Sequence, residues 1–155
     1  MKLHLGVKDF PYGHAHGSHG NANVTTGDVA GFIENKYGVM QEFFTLHDVE
    51  IAQKIAETLA DSLADYLKGI PINEKNVNDE ISKDLKGMFT KAIEGYEFDG
   101  KIEGVATQDS LGGVNQRKKK RKNAKNKATG KREIRPSFYD THTYVNSFEA
   151  WLNVG

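Results

Sequence analysis

Three histidines, His14, His16 and His19, fall within six residues, and neutral imidazoles at such spacing are ligands that zinc or nickel accepts. They sit in a glycine- and asparagine-rich stretch from Gly13 to Asn23, with Asp9 as the nearest carboxylate. No regular element fixes their geometry there, so the expectation is no metal and no cofactor, with these three as weak candidates. His4, His47 and His142 are isolated and fit surface or hydrogen-bonded histidines better than catalysts. Ser, His and Asp all occur, but the chain has no Gly-x-Ser-x-Gly, no Gly-x-x-x-x-Gly-Lys-Ser/Thr and no Gly-x-Gly-x-x-Gly. The carboxylate pairs Asp61/Asp65 and Asp79/Glu80 fall on expected solvent faces of helices, and the chain is expected not to be an enzyme.

The charged feature above background lies later. Arg117 to Arg135 carry eleven Lys or Arg against one acid, Glu133, making the stretch +10 in a chain of formal net charge zero; the other 136 residues are −10. Arg117, Lys118, Lys119, Lys120, Arg121, Lys122, Lys125 and Lys127 are the candidates for contact with a polyanion or an acidic partner. Contacts between such charges and phosphates depend steeply on salt. The stretch has no aromatic side chain to stack on a base, which argues against sequence-specific single-strand recognition. A solvated loop, or lysines bridging to acidic neighbours, weighs equally with nucleic-acid contact. A nuclear-localisation reading of residues 117–122 rests on composition alone.

These residues need a scaffold, and 155 residues suffice for one domain. Hydrophobic content of 37 % and a mean hydropathy of −0.61 are low, and the two polar stretches account for much of that. The absence of cysteine fits a reducing compartment. Asp9, Pro11 and Gly13 interrupt any signal-like run, and no apolar stretch is long enough to span a membrane.

Leu3, Leu5 and Val7 alternate with His4 and Gly6, which predicts an extended segment, strand or arm. Thr25-Thr26-Gly27-Asp28 reads as a helix start with a hydroxyl cap, running to Tyr37 before Gly38. Val39, Met40, Phe43, Phe44 and Leu46 continue at helical spacing. From about His47 to Lys68 the residues Ile51, Ile55, Leu59, Leu63 and Leu67 recur every four positions. They are flanked by Ala52, Ala56, Ala60 and Ala64, small enough for another helix to approach closely. A further helix, about Asn76 to Gly95, places Val77, Ile81, Leu85, Met88, Phe89, Ala92, Ile93 and Tyr96 on one stripe. Val114 to Lys122 and Lys131 to Phe138 are expected to form a long basic β-hairpin, and Phe148, Ala150, Leu152 and Val154 a half-buried strand. The expected fold is α+β, helices first and strands last. It has an N-terminal arm (1–24), then one domain (25–155) of two to three helices packed on a small antiparallel sheet, with the basic hairpin or loop at 114–135.

Arg135-Pro136-Ser137-Phe138-Tyr139-Asp140-Thr141, followed by Tyr144, Ser147, Phe148 and Trp151, resembles the C-terminal pattern of tailed-bacteriophage neck and tail-completion proteins. In that pattern Arg-Pro-Ser-Phe precedes an Asp-Thr-Gly turn, then Tyr, Ser-Phe and Trp; here His142 stands where the glycine is usual. Phe10-Pro11-Tyr12-Gly13, Thr25 to Ala30, Lys36 to Met40 with Phe43-Phe44, and Thr107-Gln108 match in the same order.

The resemblance implies a virion structural protein at the head–tail interface, assembled in the host cytoplasm as a homo-oligomeric ring, a hexamer or dodecamer. Its neighbours would be portal or connector and tail-tube or sheath proteins. Contact with channel DNA would be non-specific, and no membrane would be involved. Arg135, Pro136, Phe138, Asp140, Thr141, Tyr144, Ser147, Phe148 and Trp151 are then structural residues. The alternative is a stand-alone nucleic-acid-binding module using the lysine-rich hairpin.

Overall fold

The alternating leucines near the start do form a strand, β1 (Lys2–Val7), and its partner is the last strand of the chain, β2 (Phe148–Asn153). The two run antiparallel with Lys2 opposite Asn153 and Val7 opposite Phe148. The computed structural model describes residues 1–11, 24–107, 110–111, 135–139 and 143–153. Between the strands lie α1 (Thr26–Tyr37), α2 (Val39–Leu67), α3 (Glu74–Glu94) and the short α4 (Thr143–Ser147). The class is α+β, but the expected order of helices first and strands last is corrected, because the sheet joins the two ends of the chain. The expected arm is corrected likewise: residues 2–7 belong to the sheet, held by the ladder to β2, and residues 12–23 lie outside the described residues.

Local chemistry explains each boundary. Thr25 caps α1 reciprocally: its hydroxyl accepts from the Asp28 N–H at 3.2 Å while the Asp28 carboxylate accepts from the Thr25 N–H at 2.9 Å. Gly38, at φ 60°, ψ 39°, ends α1 in the left-handed region where a Cβ is unwelcome. The chain turns directly into α2, whose free N-terminal N–H groups at Met40 and Gln41 are taken by the Glu34 carboxylate at 2.8 and 3.0 Å. His47 interrupts α2 with φ −122°, ψ 16°. Its Nε2 lies 3.0 Å from Glu97 and its ring rests against Phe43, so the kink is held by side chains. Asn73 caps α3 through the Lys75 N–H.

The core forms where α2 and α3 meet the inner face of the sheet. Phe89 stacks on Phe148 with ring centroids 4.4 Å apart and meets Phe43 and Tyr144 edge-on at 5.2 and 5.8 Å. The α3 stripe behaves as its period predicts, with Ile81, Leu85, Phe89, Ala92 and Ile93 buried. The α2 stripe does so for only half its length: Ile51 and Ile55 are buried, Leu59 is half-buried, and Leu63 and Leu67 are exposed. The flanking alanines, expected to receive a helix, are all exposed too, because α3 sits on a different side of α2.

Candidate functional site

Leu111 and Arg135 flank residues 112–134, which lie outside the described residues, and the chain is joined across them. The Arg135 N–H donates to the Ser110 carbonyl at 3.3 Å. Beside this contact three hydrogen bonds form a closed set through Thr107, Ser110 and Ser137. The Thr107 N–H donates to Ser137 Oγ (3.1 Å), the Ser137 hydroxyl to Ser110 Oγ (3.1 Å), and the Ser110 hydroxyl to the Thr107 carbonyl (2.8 Å). Ser110 and Ser137 are buried, so each bond replaces water that the site excludes. Thus the residues on either side of 112–134, the stretch that carries ten of the eleven basic side chains of the run, are hydrogen-bonded to each other.

The Arg-Pro-Ser-Phe motif builds that tether. Phe138 adopts φ 67°, unusual for an aromatic residue, and its ring meets Tyr37 of α1 edge-on at 5.3 Å. Tyr139 donates its hydroxyl to Glu94 at 2.7 Å, and this bond to a carboxylate, with partial burial, pushes the phenol's pKa up. Residues 135–139 are a turn, which corrects the strand expected through Phe138; the left-handed Phe138 cannot continue a ladder. Ile33, Tyr37, Thr107 and Pro136 line a cleft of about 210 Å³ at this root.

The remaining predicted residues divide clearly. Tyr144 and Phe148 are core, and Ser147 is buried with its hydroxyl on the Tyr144 carbonyl at 3.0 Å. Trp151 lies on the outer face of the sheet, stacked on His4 with centroids 5.4 Å apart and covering Gly6. The early motif pieces also meet. Thr26 donates its hydroxyl to the Lys8 carbonyl (2.7 Å) and accepts from the Phe10 N–H (2.8 Å), while Asp9 accepts from the Gly27 N–H (2.8 Å). Arg117 to Lys122, Lys125, Lys127, Asp140, Thr141, His14, His16 and His19 lie outside the described residues. Among the described residues no three His, Asp or Glu groups are placed to hold a metal ion, and no helix is long and apolar enough to cross a membrane.

The register, with the Lys8 N–H donating to the Ser147 carbonyl, directs the even residues of β1 toward β2 and leaves the N–H and C=O groups of Leu3, Leu5 and Val7 pointing outward. They find no partner among the described residues. The opposite edge of the sheet is closed from within: Asn78 of α3 accepts the Leu152 N–H at 2.8 Å, and Ser82 accepts the Ala150 N–H at 3.2 Å. Beside the open edge lies a cleft of about 320 Å³ lined by Leu3, Leu5, Glu34, Met40, Gln41 and Phe44. Leu3 and Leu5 thus offer free backbone groups and an apolar wall together, the arrangement to which an extended chain adds as a third strand.

Comparison with protein-family models, with curated proteins and with solved structures finds no match to this chain.

Proposed function

We propose that this chain is a virion structural protein of the phage neck or tail-completion type, assembling as a homo-oligomeric ring that joins the DNA-filled head to the tail. The observation that carries the assembly half of this reading is the asymmetry of the sheet. One edge is sealed by Asn78 and Ser82, and the other is open beside a cleft. A head-to-tail contact at such an edge propagates from copy to copy and closes as a ring when the rotation permits. The resemblance of residues 135–151 and their upstream companions supports the location in the neck, between portal or connector and tail-tube or sheath proteins.

The basic segment fits the same reading. Its +10 charge on a −10 body gives a neighbouring copy, or the DNA in the channel, a complementary surface without catalysis. The stand-alone nucleic-acid module remains the competing reading. Purified protein titrated with duplex DNA across a salt series, with particle mass followed in parallel, separates the two. Weak, salt-sensitive DNA binding together with ring particles supports the neck protein; tight DNA binding by a monomer supports the module.

A further inference from the structure

His47 breaks α2 at a single residue, φ −122°, ψ 16°, and both nitrogens of its ring face carboxylates. Nε2 lies 3.0 Å from Glu97, in the turn after α3, and Nδ1 lies 3.3 Å from Glu50, one turn further along α2. The ring is partly buried, its side chain 19 % exposed, and rests against Phe43 with centroids 5.1 Å apart. An ionised carboxylate only accepts hydrogen bonds, and a neutral imidazole carries a single N–H. Both contacts therefore form together only when the ring is the doubly protonated cation. Deprotonation leaves a lone pair facing one of the two carboxylates, and that contact turns repulsive. The other charges around the site are already engaged. Lys101 lies 3.6 Å from the second oxygen of Glu97, Asp48 accepts from the Val49 N–H at 2.7 Å, and Lys54, whose charge reaches Glu50, pairs with Glu57 at 2.9 Å.

We propose that His47 is a proton-operated clamp on the kink of α2, closed when the ring is the cation and open when it is neutral. Glu97 is a fixed anchor for it. The Glu97 N–H donates to the Ala92 carbonyl at 3.0 Å, and the next residue, Phe98, is buried against Phe89. The cation ties three pieces together: the segment before the kink through Phe43, the segment after it through Glu50, and the turn after α3 through Glu97. The segment before the kink, 39–46, carries Met40, Gln41 and Phe44, which line the cleft beside the open edge of β1. Proton uptake at His47 thus fixes one wall of that cleft. An unperturbed histidine changes charge near pH 6.5, about two units above glutamate, so mild acidity charges the ring while both carboxylates stay ionised. The closed arrangement belongs to that window, and one of its contacts is lost as pH rises out of it. The clamp acts within one chain, so it holds in a monomer as in a ring.

Hydrogen exchange of the full chain, followed by mass spectrometry, tests this. Protection factors divide out the intrinsic effect of pH on exchange, and they report local opening. At pH about 5.5 the amides of residues 39–50 are expected to be several-fold better protected than at about 8, where an ordinary histidine is neutral. Amides of the α3 core positions, 81–93, should not change. In Glu97→Gln the side-chain amide accepts from a protonated Nε2 or donates to a bare one, so the contact survives in both states and the pH response should shrink. In Glu97→Ala the 39–50 segment should show the lower protection at both pH values; where that protein does not fold, the native chain and Glu97→Gln decide. Equal protection of 39–50 in the native chain at the two pH values, or a pH response that Glu97→Gln leaves undiminished, would overturn the proposal.

Discussion

The hydroxyls of Ser110 and Ser137, separated by 27 residues, hydrogen-bond at 3.1 Å in a buried site and join the two ends of the segment that carries the positive charge. Ser137→Ala strands the Thr107 N–H, which loses its acceptor, and takes the donor from Ser110. A loss of about 1–3 kcal/mol in unfolding free energy is expected, measured by urea denaturation. Ser110→Ala combined with Ser137→Ala should cost less than the sum of the single changes, because both belong to one closed set of bonds.

Asn78 serves as a strand substitute for β2, and its removal uncovers the Leu152 backbone. Asn78→Ala is expected to destabilise by about 1–3 kcal/mol. It should also increase aggregation on heating, since a second open edge is created. Ser82→Ala, which removes a single 3.2 Å bond, should have the smaller effect on both.

The Tyr144 hydroxyl is buried with no hydrogen-bond partner among the described residues, and burial together with the nearby negative charge of Glu34 drives its pKa far above the ordinary range. Tyr144→Phe keeps the ring against Phe89 and deletes the stranded polar atom. A gain of about 1 kcal/mol is expected, seen as a higher thermal midpoint; a loss would mean the hydroxyl has a partner in solution.

The Thr25 hydroxyl and the Gly27 N–H hold the Asp9 carboxyl below its usual pKa. A depressed carboxylate contributes stability that is present above its unfolded pKa and disappears as pH falls through the folded one. The stability difference between the native chain and Asp9→Asn should therefore be full near neutrality. It should shrink to nothing as pH falls below the ordinary Asp range, about 4. Urea midpoints of both proteins across that range check the direction.

Much of the scaffold was legible because its signals are local. The Thr25-Asp28 cap, the stop at Gly38, the α3 stripe and the alternation from Phe148 each depend on neighbours within a few residues, and each appears where its pattern puts it. The partner of β1 was not legible: alternation announces a strand without saying that it pairs with residues 148–153. Nor was the sealing of the β2 edge, since Asn78 and Ser82 look like ordinary polar positions on a helix. The alanine flank was recognised, but no helix among the described residues packs on it, because its period does not say which side of α2 meets α3. The left-handed Phe138 was hidden because two successive aromatic residues, Phe138 and Tyr139, read as strand until the backbone is seen.

The open edge of β1 gives the most direct test of assembly. Leu5 directs its N–H away from β2, so Leu5→Pro removes a donor the ladder does not use, whereas Gly6→Pro removes one that it does. The decisive measurement is the native mass of the unmodified chain and of Leu5→Pro by light scattering at physiological salt. A closed ring of the native chain, six or twelve copies, is expected, together with a folded Leu5→Pro protein that no longer closes it. A native chain that remains monomeric at every concentration, or a Leu5→Pro ring indistinguishable from the native one, would contradict it.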